Sequence, residues 1–262
     1  MNVSLIQMDV AHCHKQLNLQ RALEFATIGD ADIVIFPEVF STGFCYDRIG
    51  EMAESDPFPT IERLRRLSKE SHNIIIGSII TSAPNGRFYN QGFVLDQGEV
   101  AGTYHKVHPF GIEKEYFRGG EDIAPIKTSQ GSIGFMICYD IRFPEMARKL
   151  ALEGADILVS VAQFPSLRQE HWDVLVRARA IENQIPHAAC NRVGADPYNE
   201  FGGGSVVVDG WGRVLADAGS TENIVSADVN LGDKALIRDE IKCFSDRRES
   251  LYYDLSHYDN II

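Results

Sequence analysis

The chain has 262 residues, 44% hydrophobic and 24% charged, with a formal net charge of −12. That size and balance predict one globular domain spanning residues 1–262, and no apolar run reaches the roughly 18 to 20 residues that span a bilayer. Excess acid repels nucleic acid and anionic lipid, and no Lys/Arg-rich stretch reverses it locally, so neither nucleic acid nor membrane is expected as a partner.

The opening Met-Asn-Val-Ser-Leu-Ile lacks a basic region and a cleavable apolar core, so Val3 to Met8 reads as a strand and the expected compartment is cytoplasmic. Gln16 to Ile28 reads as an amphipathic helix, Ile33 to Phe36 as a buried strand, Ile61 to Ser71 as a helix and Ile74 to Ile80 as a buried strand. Phe88 to Leu95 and Val100 to Lys106 flank Asp96-Gln-Gly-Glu99 and predict a hairpin. The second half repeats the order. Ile133 to Cys138 is a strand, Pro144 to Glu153 a helix with proline in its first turn, Ile157 to Val161 a strand and Arg168 to Gln184 a longer helix. His187 to Asn191, Gly204 to Val208, Val214 to Ala216 and Ile224 to Asp228 follow as short strands, and the charged tail beyond Leu231 has no clear period. Asp30-Ala-Asp-Ile-Val-Ile echoes Gly154-Ala-Asp-Ile-Leu-Val, each after a strand and a helix. Two such halves packed sheet to sheet would make an α/β fold of four layers, an αββα sandwich.

Cysteines at 13, 45, 138, 190 and 243 are odd in number and widely spaced, which favours reduced thiols. His12-Cys13-His14 is the nearest approach to a metal cluster and lacks a second ligand pair, so no metal is expected. Gly202-Gly-Gly-Ser205 lacks the lysine of a phosphate loop and reads as a tight entrance to a strand. His171 and Trp172 lie on the long helix, where Trp172, Leu175 and Val176 form an apolar face. Phe44 is a candidate for the lining of a substrate entrance.

Three polar residues close short apolar or extended runs: Glu38 after Ile33-Val-Ile-Phe-Pro, Lys106 after Tyr104-His, and Cys138 after Gly134-Phe-Met-Ile. A carboxylate at a strand's carboxyl end stands where open α/β sheets place ligands, and it can take and return a proton. Cys138 falls in a strand-to-helix turn, where free backbone N–H groups and the helix dipole would lower the thiol pKa and hold an oxyanion.

Glu38, Lys106 and Cys138 together resemble the Glu-Lys-Cys triad of the carbon–nitrogen hydrolases, the nitrilase superfamily. The resemblance runs through Phe36-Pro-Glu38, His105-Lys106, Cys138-Tyr-Asp-Ile-Arg-Phe-Pro-Glu145, Arg177-Ala-Arg-Ala-Ile-Glu-Asn-Gln184, Asn191-Arg-Val-Gly194 and Gly204-Ser-Val-Val-Val-Asp-Gly-Trp-Gly212. It implies the αββα sandwich, commonly paired as a homodimer, and no cofactor. It also implies a second glutamate between lysine and cysteine. Glu113 is favoured in Phe110-Gly-Ile-Glu-Lys-Glu-Tyr-Phe-Arg-Gly-Gly120, with Glu115 as the alternative.

The Cys-Tyr-Asp-x-Arg-Phe-Pro-Glu wording resembles the omega-amidase branch, which implies a small-molecule substrate: the terminal amide of a short dicarboxylate mono-amide, especially of a 2-oxo acid such as 2-oxoglutaramate or 2-oxosuccinamate. An N-carbamoyl amine hydrolase or a nitrile-cleaving enzyme would carry the same triad, and a non-catalytic binding relative would be expected to lack one of its members. The expected roles are Glu38 as proton acceptor, Cys138 as nucleophile and thioester carrier, and Lys106 with the backbone N–H of Tyr139 as oxyanion donors. Arg142 is a candidate grip for the substrate's carboxylate, with a salt bridge to Glu145 as the competing role.

Overall fold

In the first strands both alternating sets of side chains are apolar. Val3 and Leu5, Ile33 and Ile35, and Ile74 and Ile76 enter one cluster, whereas Ile6, Val34 and Ile75 enter another. Such runs belong to a sheet covered on both faces. The computed structural model describes residues 1–29 and 31–252. Its first half runs β1 (Asn2–Gln7), α1 (Lys15–Ile28), β2 (Ile33–Ile35), α2 (Ile49–Met52), α3 (Pro59–Ser71), β3 (Ile74–Ser82), β4 (Phe88–Asp96), β5 (Glu99–His105) and α4 (Glu113–Tyr116). The second runs β6 (Ile126–Thr128), β7 (Gly131–Ile137), α5 (Pro144–Leu152), β8 (Ile157–Ala162), α6 (Gln169–Asn183), β9 (His187–Asn191), β10 (Val193–Ala195), β11 (Glu200–Gly202), β12 (Val206–Val208), β13 (Val214–Asp217), β14 (Asn223–Asp228), α7 (Asp233–Glu240) and α8 (Glu249–Tyr252).

One sheet has the order β14-β1-β2-β3-β4-β5 and the other β13-β12-β9-β8-β7-β6. Each centres on a parallel triple, β1-β2-β3 and β7-β8-β9, flanked by antiparallel strands. The two echoed segments supply the middle strands β2 and β8 of these triples; Asp30, where the first copy begins, lies outside the described residues. The sheets pack face to face. Leu5, Ile35 and Ile76 of one share a core with Phe135, Ile137 and Val159 of the other. Leu19, Ala22 and Leu64 of α1 and α3 cover one outer face, and Trp172, Val176 and Ala180 of α6 pack on the other. The expected αββα sandwich is therefore the observed fold.

Close approach between the sheets fixes one small residue. A Cβ on Gly92 of β4 would lie 2.5 Å from the Phe135 ring of β7, well inside van der Waals contact. The expected hairpin closes through Gln97 (φ 50°) and Gly98 (φ 90°), both left-handed, as a two-residue loop between twisted strands requires.

Cys13 and Cys45 form a disulfide, contrary to the expectation of reduced thiols; Cys138, Cys190 and Cys243 are free. The pairing follows from a loop contact that spacing does not reveal. Asn18 receives the Ala11 N–H and donates to the Ser41 carbonyl (2.9 and 3.1 Å), and the Cys13 N–H reaches the Thr42 carbonyl (2.9 Å). The two Cα atoms then stand 5.3 Å apart, within disulfide reach. Among the described residues no helix is long and apolar enough to cross a membrane.

Candidate active site

The polar residues that end the central strands converge. The Phe36 N–H still pairs with the Ile76 carbonyl (2.8 Å), and Pro37, lacking an N–H, ends the ladder. Glu38 follows, fully buried. Its Oε1 accepts from Lys106 Nζ (2.8 Å) and Asn90 Nδ2 (2.7 Å), and its Oε2 accepts from the Gln163 backbone N–H (2.9 Å). Lys106 leaves β5 with its own N–H on the Asn90 carbonyl, which turns the side chain inward. Its ammonium also donates to both oxygens of Glu113, at 3.0 and 2.8 Å. Glu113 opens α4 as a buried residue and Glu115 is exposed, so Glu113 is the glutamate that meets Lys106.

Cys138 leaves β7 with φ 49°, a left-handed conformation that costs a non-glycine residue of order 1–3 kcal/mol and persists only when its surroundings enforce it. Asp140 enforces it. Its Oδ2 accepts the Ile137 N–H (3.0 Å) and the Tyr104 hydroxyl (2.6 Å), and its Oδ1 accepts the His108 N–H (3.0 Å). Tyr139 takes the second position of the short 3-10 turn Cys138–Arg142, where a helical N–H has no acceptor within its own turn.

The electrostatics correct the expectation of a lowered thiol pKa. Burial, and then the Glu38 carboxylate that the thiol hydrogen-bonds, push Cys138 well above the usual thiol range, against the pull of Lys106. Burial alone would lower Lys106, yet Glu113 and Glu38 hold the ammonium well above its usual range. Glu113 is raised to about 7, by burial first and by Glu38, against Lys106.

Cys138 and Glu113 open onto a cavity of about 340 Å³ walled by aromatic rings, among them Phe44, Tyr46, Phe110, Tyr116 and Tyr198. Such a volume suits a small molecule. A recess of about 30 Å³ joins Cys138, Tyr139, Arg142 and Arg168. Arg142 bonds His171 Nδ1 at 3.2 Å and lies over Phe164; it lines the recess and not the main cavity. Trp172 is core, as its helical face implied. Gly203 and Gly204 have left-handed φ of 71° and 72°, and their N–H groups bind the Arg192 and Gly219 carbonyls, which makes a turn and no phosphate cradle. Among the described residues, His12, Cys13 and Cys45 form the one group of three metal-ligand types within mutual reach, and its two sulfurs are joined.

A profile of the carbon–nitrogen hydrolases matches residues 2–239. The chain belongs to that family. It is 35% identical over 255 residues to the 2-oxoglutaramate amidase of Bacillus subtilis (strain 168), covering 95% of this chain and 98% of the relative. Saccharomyces cerevisiae Nit3, a member of branch 10 of the nitrilase superfamily, has a TM-score of 0.87 at 29% identity, over 95% of this chain and 96% of Nit3. A glutamate-to-glutamine mutant of an amidase from Nesterenkonia sp. AN1, with the acetamide moiety of fluoroacetamide added covalently to its active-site cysteine, has a TM-score of 0.84 at 25% identity, over 96% and 95% of the two chains. This hydrolase is accordingly an amidase acting on carbon–nitrogen bonds other than peptide bonds.

Sequence reasoning about this hydrolase missed the residues that hold Glu38. Asn90 sits inside β4, and Gln163 ends the apolar run Val159-Ser-Val-Ala-Gln163 much as Glu38 ends its own, a signal that was available. The Gln163 side chain donates to the Glu38 carbonyl (2.8 Å) and accepts from Arg192 (3.2 Å), which Asp9 pairs from the far side. Tyr104 and Asp140 were likewise read as motif letters and not as the lock on the Cys138 turn.

Proposed function

We propose that this amidase hydrolyses the terminal carboxamide of a short acid amide, such as 2-oxoglutaramate or 2-oxosuccinamate, to acid and ammonia through a thioester on Cys138. The observation that carries the proposal is the continuous Glu113–Lys106–Glu38 chain of bonds at 2.8 Å, with the Cys138 thiol against Glu38 at the cavity wall. The names of the relatives support the substrate class and the cysteine.

Glu38 takes the thiol proton as sulfur attacks the amide carbon, because a thiol held well above its usual range is not ionised beforehand. The carbonyl π electrons move to oxygen, and the oxyanion is held by Lys106 and the Tyr139 N–H. The C–N bond then breaks, Glu38 returns the proton to nitrogen, and ammonia leaves a thioester. Water gives a proton to the same carboxylate and attacks, the C–S bond breaks, and the thiol is reprotonated. Glu113 positions the ammonium.

Ammonia release from 2-oxoglutaramate, 2-oxosuccinamate, glutamine, simple aliphatic amides and carbamoyl compounds tests the proposal. The expected result is a preference for the 2-oxo acid amides that Cys138→Ala abolishes. Normal turnover by that variant would refute the mechanism, and a preference for carbamoyl compounds would refute the substrate class. Family resemblance also supports a homodimer, which sedimentation measures directly.

A further inference from the structure

We infer that Arg168 binds the free carboxylate of the substrate, an assignment that rests on the acid-amide function proposed above. Arg168 ends the short turn Ser166–Arg168 and caps the 15-residue α6, with its N–H on the Pro165 carbonyl at 2.9 Å. Its side chain lines both the main cavity and the recess beside Cys138. The guanidinium lies 5.4 Å from the Phe110 ring centroid, and Phe110 leans on Tyr139 at 4.7 Å, so the side chain is held against the ring, and among the described residues no acceptor engages its donors.

Charge accounting singles it out. Among the described residues no carboxylate pairs with Arg168, whereas Lys106 is shared by Glu38 and Glu113, and Arg192 is held by Asp9 and Gln163. The other charged groups lining the main cavity, Asp47, Glu113 and Asp196, are acids. An anion is therefore repelled from that side and met by one cation, at the positive end of a helix. Arg142, the candidate from sequence, faces a recess with room for about two waters and already bonds His171. Because Arg168 and Cys138 border the same recess, the span between carboxylate and reacting amide must be short.

The test compares kcat/KM for succinamate and for butyramide in wild type, Arg168→Met, Arg168→Lys and Arg142→Met. A charge-assisted hydrogen-bonded pair contributes about 1.5–3 kcal/mol, so Arg168→Met should lower the acid-to-neutral ratio roughly 10- to 100-fold through KM, with partial recovery in Arg168→Lys. An unchanged ratio in Arg168→Met overturns the assignment, as does a ratio lost instead in Arg142→Met. A wild type indifferent to the carboxylate overturns the acid-amide function itself, and this inference with it.

Discussion

Glu113→Gln tests the electrostatics of the buried chain through stability. Glu113 is 6% exposed, and burial with Glu38 nearby raises it from 4.5 to about 7 against Lys106. Below pH 4.5 the carboxyl carries its proton in both folded and unfolded chains. Between 4.5 and about 7 the unfolded chain releases that proton and the folded chain keeps it, so stability falls as pH rises. One proton over that window is worth at most about 3 kcal/mol. Glutamine keeps the shape and does not titrate. Urea unfolding, followed by the fluorescence of the buried Trp172, should therefore show the wild type losing up to about 3 kcal/mol relative to Glu113→Gln across that window, then levelling. A flat difference, or one that grows in favour of the wild type, would mean that the Lys106 ion pair outweighs burial, and would refute the reasoning.

Lys106→Met removes an oxyanion donor and leaves two buried carboxylates facing each other, so kcat should fall about 100- to 1,000-fold, with a drop in melting temperature. Gly92→Ala drives a methyl group into the Phe135 ring and should cost about 1–3 kcal/mol in chemical unfolding. In denaturant without reductant, thiol titration should count the three free cysteines, rising to five after reduction; five at the outset would exclude the Cys13–Cys45 bond.

Burial on both faces made the central strands legible, because Ile33-Val-Ile and Ile74-Ile-Ile leave no polar alternation to misread. Glu38, Lys106 and Cys138 were legible for a related reason: a polar group directly after such a run stands where the sheet ends. Asn90 was not, since a polar residue within a strand has no distinctive spacing until its partner is known, whereas Gln163 carried the same signal as Glu38 at the end of its own apolar run. The Cys13–Cys45 bond depended on a loop that Asn18 folds over, and Arg168 stands out only once the cavity lining and the acids that hold Lys106 and Arg192 are known. The lowered thiol pKa failed for a quantitative reason. Burial raises the thiol first, the neighbouring Glu38 adds to it, and Lys106 does not offset the two.

That imbalance constrains how the proposed attack can proceed. A free thiolate beside Glu38 is disfavoured by burial first and by that carboxylate second. Passing the proton from sulfur to Glu38 avoids this, because thiol plus carboxylate becomes thiolate plus carboxylic acid and the local charge is unchanged. Once sulfur bonds to carbon, the charge moves to the oxygen that Lys106 faces. Protonating Glu38 also leaves that ammonium with fewer competing carboxylates, so Lys106 becomes a stronger oxyanion donor at the moment the oxyanion forms. A raised resting thiol is thus compatible with efficient attack, provided that proton and sulfur move together, and the substrate is what sets them moving.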